Sequence, residues 1–575
     1  MRNAEVAAVL YELADVQELL QIPWKPIAVR RAARTIESLS KDIEVIYRQG
    51  GAAALQELPG IGEGIAGKIA QFLDEGKVDE YEKLRKRIPK GVEDMLHVPG
   101  LGPKKAFRLF KERRITTIAA LERAAKSGRI RSLSGFGEKS EQDILRGIGL
   151  LKMGAERKLL GSVLPFAREI EARLKAIPGV KDVVVSGSIR RMKETVKDLD
   201  FLVISKDAKK VMDVFTKMPE VVSILAKGPT KSAVILKPNL QADVRVLEEK
   251  SFGAALQYFT GSKEHNVRLR QLAIKKGLKL NEYGLFKGAK MVAGKTEHEV
   301  YKALGLPYIE PELRENQGEF ERKPLVPIPY DAIRGDFHMH TTWSDGRDSM
   351  EEMVKACKAL GYQYMAISDH SVSERIANGM DERRVLNYLD SIDNLQRKTS
   401  GIRILKSSEV SIRADGSLDY PDSILKRFDI VIVSIHSGFK QPKDVMTRRV
   451  LRALSNPYVT IWGHPTARLI NEREPINVDL DKVFRLCAER GVWVEVNSSP
   501  KRLDLKDMHV RQAIDAGCKL VIDTDSHAAD QLKNVELGVA TARRGWAEAK
   551  DVVNTLPWKR LEKLISRKRS SASSH

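Results

Sequence analysis

Seven short apolar, β-branched runs in the last 240 residues of this 575-residue chain end on imidazoles and carboxylates. They are 334–340 (RGDFHMH), 364–370 (YMAISDH), 403–411 (RILKSSEVS), 430–436 (IVIVSIH), 460–465 (TIWGHP), 492–498 (VWVEVNS) and 519–527 (KLVIDTDSH). Helix-like stretches separate most of them, which predicts strands of successive β–α units. In a barrel of such units the C-terminal strand ends converge on one face. That face would carry His338, His340, Asp345, His370, Glu409, His436, His464, Asp525 and His527. A lone strand-end histidine is usually structural, but six of the chain's eleven fall in this one pattern. Burying so many unpaired polar and charged groups would be too costly without metal. The set reads as ligands of a hydrolytic metal site.

The formal net charge of +21 points to a polyanionic partner. Only three cysteines occur, Cys357, Cys487 and Cys518, without a CxxC spacing, which suits a reducing compartment. The N-terminus reads as an amphipathic helix with acidic residues, not a signal peptide, and no apolar run is long enough to span a bilayer. A cytoplasmic, nucleoid-associated protein is expected.

The first 150 residues read as helices broken by three similar turns: LPGIGEGIAGKI (58–69), VPGLGPKKAFRL (98–109) and LSGFGEKSEQDI (133–144). This is the helix–hairpin–helix signature. Its glycines, Gly60, Gly62, Gly100, Gly102, Gly135 and Gly137, allow a tight turn, and the N–H groups opening the next helix can bind a DNA phosphate. Three such turns in a basic segment predict duplex contact without sequence specificity.

From 151 to 310 the pattern becomes mixed α/β, with strands expected at 183–186, 198–204, 233–236 and 241–247. Asp198 and Asp200 lie one residue apart at the start of an apolar strand, so both point to one face. Asp243 begins a neighbouring strand. Three carboxylates so placed can hold two Mg²⁺ ions, which lower the pKa of an attacking hydroxyl and neutralise a leaving pyrophosphate. Upstream, the turn SGSIRR supplies Ser188, Arg190 and Arg191 to grip a triphosphate. The segment QYFTGSKEHNVRLRQLA (257–273) offers Tyr258 and Phe259 to a sugar and base. Asn266 and Arg270, four apart on one helix face, can probe a minor groove or template. Residues 306–333 are proline-rich and aperiodic, and 311–333 is the expected linker.

With these motifs in hand, residues 1–310 resemble the family X DNA polymerases, and 334–560 looks like a polymerase-and-histidinol-phosphatase (PHP) domain. The resemblance implies a multidomain α and α/β chain. Its parts would be a small helical domain (1–85), fingers (86–150), a nucleotidyltransferase palm (151–250), a thumb (251–310), a distorted (β/α)7 barrel (334–560) and a disordered basic tail (561–575). Asp198, Asp200 and Asp243 would be the metal-binding aspartates, served by Mg²⁺ or Mn²⁺. Asp243 would help activate the primer 3′-hydroxyl. Gly187, Ser188 and Arg191 match phosphate-holding positions. Tyr258, Phe259 and Gly261 match the sugar pocket. Asn266 matches a minor-groove contact and Arg270 a template contact. In the barrel, His338, His340, Glu409 and Asp525 would hold one metal; Glu409, His436 and His464 a second; Asp345, His370 and His527 a third. Mixed nitrogen and oxygen ligands suit Mn²⁺ or Zn²⁺.

The resemblance implies a repair polymerase, acting as a monomer on gapped or primer–template DNA with deoxynucleoside triphosphates. The barrel would add 3′–5′ exonuclease, 3′-phosphatase or abasic-site endonuclease activity. Lys68 falls on the family's lyase lysine and Lys25 on another family lysine, although a nearby lysine position reads Gly64 and the lyase tyrosine reads Val29. A rival reading is a phosphoesterase for small esters whose N-terminal half only binds DNA.

Overall fold

The computed structural model describes residues 3–573 except 21, 24, 38–42, 89, 90, 97, 99, 100, 238, 239, 323 and 324. It divides into two compact units: Met1–Glu156 with Asn471–Arg473, and the remainder from Arg157 onward. No helix among the described residues is long and apolar enough to cross a membrane. All three cysteines are free and buried.

The first unit is helical around one core that runs from Val6 to Ile148. Its three glycine turns share one geometry. Ile61 N–H donates to the Leu58 carbonyl (3.1 Å), Leu101 to Val98 (3.0 Å) and Phe136 to Leu133 (2.9 Å). Ile61, Leu101 and Phe136 are buried, pinning each turn to the core. Gly60 (φ +78°) and Gly135 (φ +75°) adopt the left-handed backbone that a side chain would strain. The corresponding Gly100 lies outside the described residues.

The second unit contains a five-stranded sheet, a three-stranded sheet and a seven-stranded barrel. In the first, β1 (Val180–Val185), β2 (Asp198–Ser205), β3 (Val221–Lys227), β4 (Lys231–Leu236) and β5 (Leu240–Leu247) are ordered β1-β2-β5-β4-β3. Strand alternation sends Leu199, Phe201 and Val203 of β2 into one core with Leu240, Ala242, Val244 and Val246 of β5. The residues between them therefore face the other way. The expected strands are all present, and β3 is an additional edge strand. The three-stranded sheet comprises β6 (Lys279–Asn281), β7 (Gly284–Lys287) and β8 (Lys290–Ala293).

The barrel strands are β9 (Gly335–Asp336), β10 (Tyr364–Ile367), β11 (Arg403–Ser411), β12 (Ile430–Ser434), β13 (Ile461–Trp462), β14 (Trp493–Asn497) and β15 (Leu520–Asp523). They pair in parallel and in chain order, one for each run read from the sequence. A two-residue β9 cannot close a barrel by backbone pairing alone. Closure uses the bridge between Met339 and Ser526. Two buried carboxylates complete it: Asp523 Oδ1 accepts the Phe337 N–H (2.8 Å), and Asp336 Oδ2 accepts the Thr524 hydroxyl (2.6 Å).

Two expectations are corrected here. Residues 311–333, expected as a linker, are in large part packed structure. Ile309 and Leu313 share a core with Leu269, Val300, Tyr301 and Trp546. Its charged side chains are paired: Glu312 with Arg543 (2.8 Å), Glu315 with Arg191 (3.0 Å) and Arg544 (3.1 Å), and Glu319 with His265 (2.8 Å). The tail, expected to be disordered, forms the helix Trp558–Ser573. Leu561 and Ile565, one helical turn apart, bury against the barrel strands, and Arg569 pairs with Asp429 (2.6 Å).

The five-stranded sheet and the barrel also share a core. Ile470, Leu503, Leu537 and Ala540 pack with Leu160, Val163 and Ile170. Glu297 ties further elements together. It meets Arg190 at 2.6 and 3.0 Å and the fully buried Arg314 at 2.5 Å. Burial alone would raise its carboxyl, but Arg314 and Arg190 hold it down at about 2. A depressed carboxylate contributes stability above its unfolded value, near 4.5, and loses it as pH falls toward the folded value. The contribution is on the order of 3 kcal/mol. The melting advantage of wild type over Glu297→Gln is therefore expected to be full at pH 7 and to shrink between pH 5 and 2. An equal advantage at pH 3 and pH 7, by thermal denaturation, would contradict this.

Candidate active sites

The first site sits on the opposite face of the five-stranded sheet, where the helix Phe252–Thr260 covers Leu202 farther along β2. Parallel pairing of β2 with β5 sets Asp200 directly beside Asp243, with Asp198 two residues away on the same face. Asp243 is held by Gln241 Nε2 (3.0 Å) and Lys231 Nζ (3.1 Å). Burial, followed by the charges of Asp198 and Asp243, pushes the Asp200 carboxyl up to about 6. Three carboxylates that repel one another in this way fit a divalent cation. Gly187 (φ +73°) brings its turn to Asp200, since a Cβ there would lie 3.4 Å from Oδ2. The Ser188 hydroxyl is buried without a hydrogen-bond partner among the described residues.

The remaining expected nucleotide residues divide. Tyr258 and Phe259 meet edge to face at 5.1 Å, and Arg245 lies over the Phe259 ring at 4.6 Å. Arg191 is engaged by Glu315 and by the Thr260 carbonyl. Gly261 passes so close that a Cβ would lie 3.0 Å from the Arg191 guanidinium. Asn266 is buried, with its amide spent on Gln257 (2.7 Å) and the Tyr258 carbonyl (2.7 Å). Arg270 is exposed.

The second site lies at the C-terminal ends of the barrel strands, where all nine expected residues meet. Glu409 is fully buried at its centre, contacting His464 (2.7 Å), His436 (3.0 Å), His370 (3.1 Å) and His338 (3.3 Å). Asp525 lies 3.3 Å from His340, and Asp345 lies 3.4 Å from His527 and 3.6 Å from His370. Three groups have ligand atoms close enough for one ion each: His338, His340 and Asp525; His370, Glu409 and His436; and His340, Asp345, His370 and His527.

The donor chemistry fits metal. Burial, with His527 and His370 adding to it, pushes His340 down to about 3, and burial with Arg502 pushes His464 to about 4. Neutral imidazole is the ligating form. Burial would also lower His338, His370 and His527, but the carboxylates Glu495, Glu409 and Asp345 raise them, His527 to about 9, so in these three the proton occupies the place a cation would take. Both His340 ring nitrogens and His338 Nε2 are buried without a hydrogen-bond partner among the described residues. Burial alone would raise Glu409, yet its histidines hold it well below the carboxylate range. His464 (φ +24°) and Asp525 (φ +53°) also adopt left-handed backbone, a strain tolerated at functional sites.

Several residues at this site were missed in the sequence. Glu495 receives His338 Nδ1 at 2.6 Å and the backbone N–H of His464, fixing the orientation of two candidate ligands. Asn497 (3.1 Å) and Arg502 (3.3 Å) hold Asp525. The alternation V-W-V-E-V-N places Glu495 and Asn497 on one strand face, which was the available signal.

In the first unit, Gly62 and Gly102 cap the helices Glu63–Glu75 and Pro103–Arg113. A Cβ on Gly62, Gly102 or Gly137 would meet nothing within 4 Å. Packing therefore does not demand these glycines, and the backbone of the three turns is open to approach from outside. Lys68 Nζ donates to the Gly64 carbonyl (2.9 Å) and pairs with Glu80 (3.1 Å), which Lys25 also approaches at 3.7 Å.

Fold and sites together define a nucleotidyltransferase joined to a metal-dependent phosphoesterase. Residues 255–315 match the DNA polymerase beta thumb, 336–499 the PHP domain, 1–78 a helix-hairpin-helix domain and 92–149 a SAM-like helix-hairpin-helix tandem. The chain is 38% identical over 574 residues to the DNA polymerase/3'-5' exonuclease PolX of Bacillus subtilis, covering 99% of this chain and 100% of that one. It belongs to the family X DNA polymerases that carry a C-terminal PHP domain. The Probable phosphatase Teth514_1060 of Thermoanaerobacter is 30% identical over 245 residues, 41% of this chain and 95% of its own. DNA polymerase lambda of Rattus norvegicus is 26% identical over 350 residues, 54% of this chain and 56% of its own.

Proposed function

We propose that this chain fills short gaps in duplex DNA during base-excision repair and trims 3′ ends at a second, separate site. The observation that carries the reading is the presence in one compact unit of two unlike constellations, a three-aspartate strand pair and a nine-residue imidazole–carboxylate cluster. At the palm, Asp198, Asp200 and Asp243 would hold Mg²⁺ or Mn²⁺; when bound, the ions favour ionisation of the primer hydroxyl and offset the charge of the leaving pyrophosphate. Ser188 offers its free hydroxyl to the nucleotide's phosphates, and Arg191 reaches them by giving up Glu315. Tyr258 and Phe259 form the sugar wall. Asn266 orders that wall through Gln257 and Tyr258, and the exposed Arg270 is free to meet the template.

In the barrel the nine residues would hold up to three Mn²⁺ or Zn²⁺ ions, which supply Lewis acidity for phosphodiester hydrolysis. Glu495, Asn497 and Arg502 keep the ligands oriented. The hairpin turns bind the duplex backbone. Lys68 is the candidate for removing a 5′-deoxyribose phosphate. Borohydride trapping on an incised abasic duplex should capture wild type and not Lys68→Ala, and equal capture of both would remove that role. The working form is a cytoplasmic monomer at the nucleoid.

The rival reading, a phosphoesterase for small esters, draws on the similarity to the Thermoanaerobacter protein. Turnover of histidinol phosphate compared with that of a DNA 3′ end decides between them. Faster turnover of the small ester, with no extension across a one-nucleotide gap, would refute the polymerase reading.

A further inference from the structure

Between the palm carboxylates and the barrel lies a polar cavity of about 490 Å³. Its palm wall includes Ser188, Lys193, Lys197 and Asp198, and its barrel wall Lys506, Asp507 and Arg544. The charges inside do not balance. Asp507 is satisfied by Arg544 at 2.7 and 3.0 Å, and Glu194 by Arg468 at 2.8 Å. The nearest carboxylate to Lys193 is Glu315 at 3.8 Å, already shared with Arg191 and Arg544. Lys197 and Lys506 form no ion pair among the described residues. Burial, with Arg544 next, pushes the Lys193 ammonium down, as expected where cations crowd. A cationic surplus facing an unpartnered hydroxyl, beside the aspartates, is a recognition surface for linked phosphates.

We infer that Lys506, a residue of the barrel, belongs to the polymerase's nucleotide site and binds the triphosphate of the incoming nucleotide or the pyrophosphate that leaves. The inference rests on the palm being the site of nucleotidyl transfer. Lys506 is fixed from the barrel side. Asp504, fully buried, accepts the Thr466 N–H (2.9 Å) and hydroxyl (2.8 Å), and Asp507 is locked to Arg544. The barrel thus carries Lys506 on a fixed stretch of backbone at the cavity wall, from which its ammonium would act as a point charge on phosphate oxygens.

The test is steady-state filling of a one-nucleotide gap by the full chain, with the nucleotide varied and pyrophosphate as inhibitor, for wild type, Lys506→Ala and Lys506→Arg. Lys506→Ala is expected to raise the KM for nucleotide, the inhibition constant of pyrophosphate, or both, about tenfold, the cost of one charge-assisted contact. A raised KM marks the substrate triphosphate as occupant, and a raised inhibition constant alone marks the product. Turnover at saturation should change far less, Lys506→Arg should restore most of the loss, and 3′ degradation without nucleotide should be unaltered. Both constants remaining at their wild-type values, or no rescue by arginine, would overturn the inference. Failure of wild type to extend the primer would instead refute the underlying polymerase reading.

Discussion

Replacing Asp198 by alanine is expected to slow primer extension about a thousandfold, roughly 4 kcal/mol of transition-state stabilisation. Degradation of the 3′ end should continue at the wild-type rate. The size of the effect follows from the proposed role and the register: Asp200 lies beside Asp243 with Asp198 on the same face, and removing one carboxylate would leave the proposed cation site incomplete. The fold should not suffer. Asp198 is exposed, and its charge is among the causes that push Asp200 up to about 6. Its removal relieves repulsion, so the melting temperature should hold or rise. Single-turnover extension and thermal denaturation measure the two consequences. Extension within about tenfold of wild type would mean that this carboxylate is not part of the reacting centre.

Glu409→Ala should have the opposite selectivity. Glu409 touches four histidines, and its loss removes a donor from the middle of the barrel cluster. Degradation of the 3′ end is expected to fall about a thousandfold, and the metal content of the purified protein should fall with it. Here stability should suffer as well. Imidazoles held around a buried carboxylate lose their countercharge, at a cost of about 3–5 kcal/mol for breaking a buried pair. Comparison with Glu409→Gln, which keeps the volume, separates packing from charge. Full degradation by the alanine variant, or unchanged metal content, would remove Glu409 from the centre.

Both constellations were legible in the sequence because each is written in strand periodicity. Asp198 and Asp200 sit at i and i+2, and all the candidate barrel ligands but Asp345 fall near the end of an apolar run, so the strand ends bring these side chains together. What was not legible depends on pairing across the chain. Glu495 sits inside its run and becomes a support only where His338 and the backbone of His464 reach it. Residues 311–333 read as a linker because they are rich in proline and lack periodicity, and their order comes from distant partners, Arg191, His265, Arg543 and Arg544, that pair with Glu312, Glu315 and Glu319. The tail was misread because its basic residues outweigh the two apolar positions, Leu561 and Ile565, that dock it. Arg191 was expected to be free for phosphate, but Glu315, from within the supposed linker, holds it. Lys506 carried no sequence signal, since its proximity to Asp198 arises only from the shared core of palm and barrel.

The central claim is that one chain carries two separable active sites. It is tested most directly on one 5′-labelled, gapped duplex with Mn²⁺, with and without deoxynucleotides, comparing wild type, Asp198→Ala and Glu409→Gln. The predicted result is a clean crossing: Asp198→Ala shortens the primer and cannot lengthen it, while Glu409→Gln lengthens it and cannot shorten it. Loss of both activities in either variant, with its melting temperature intact, would contradict two independent sites.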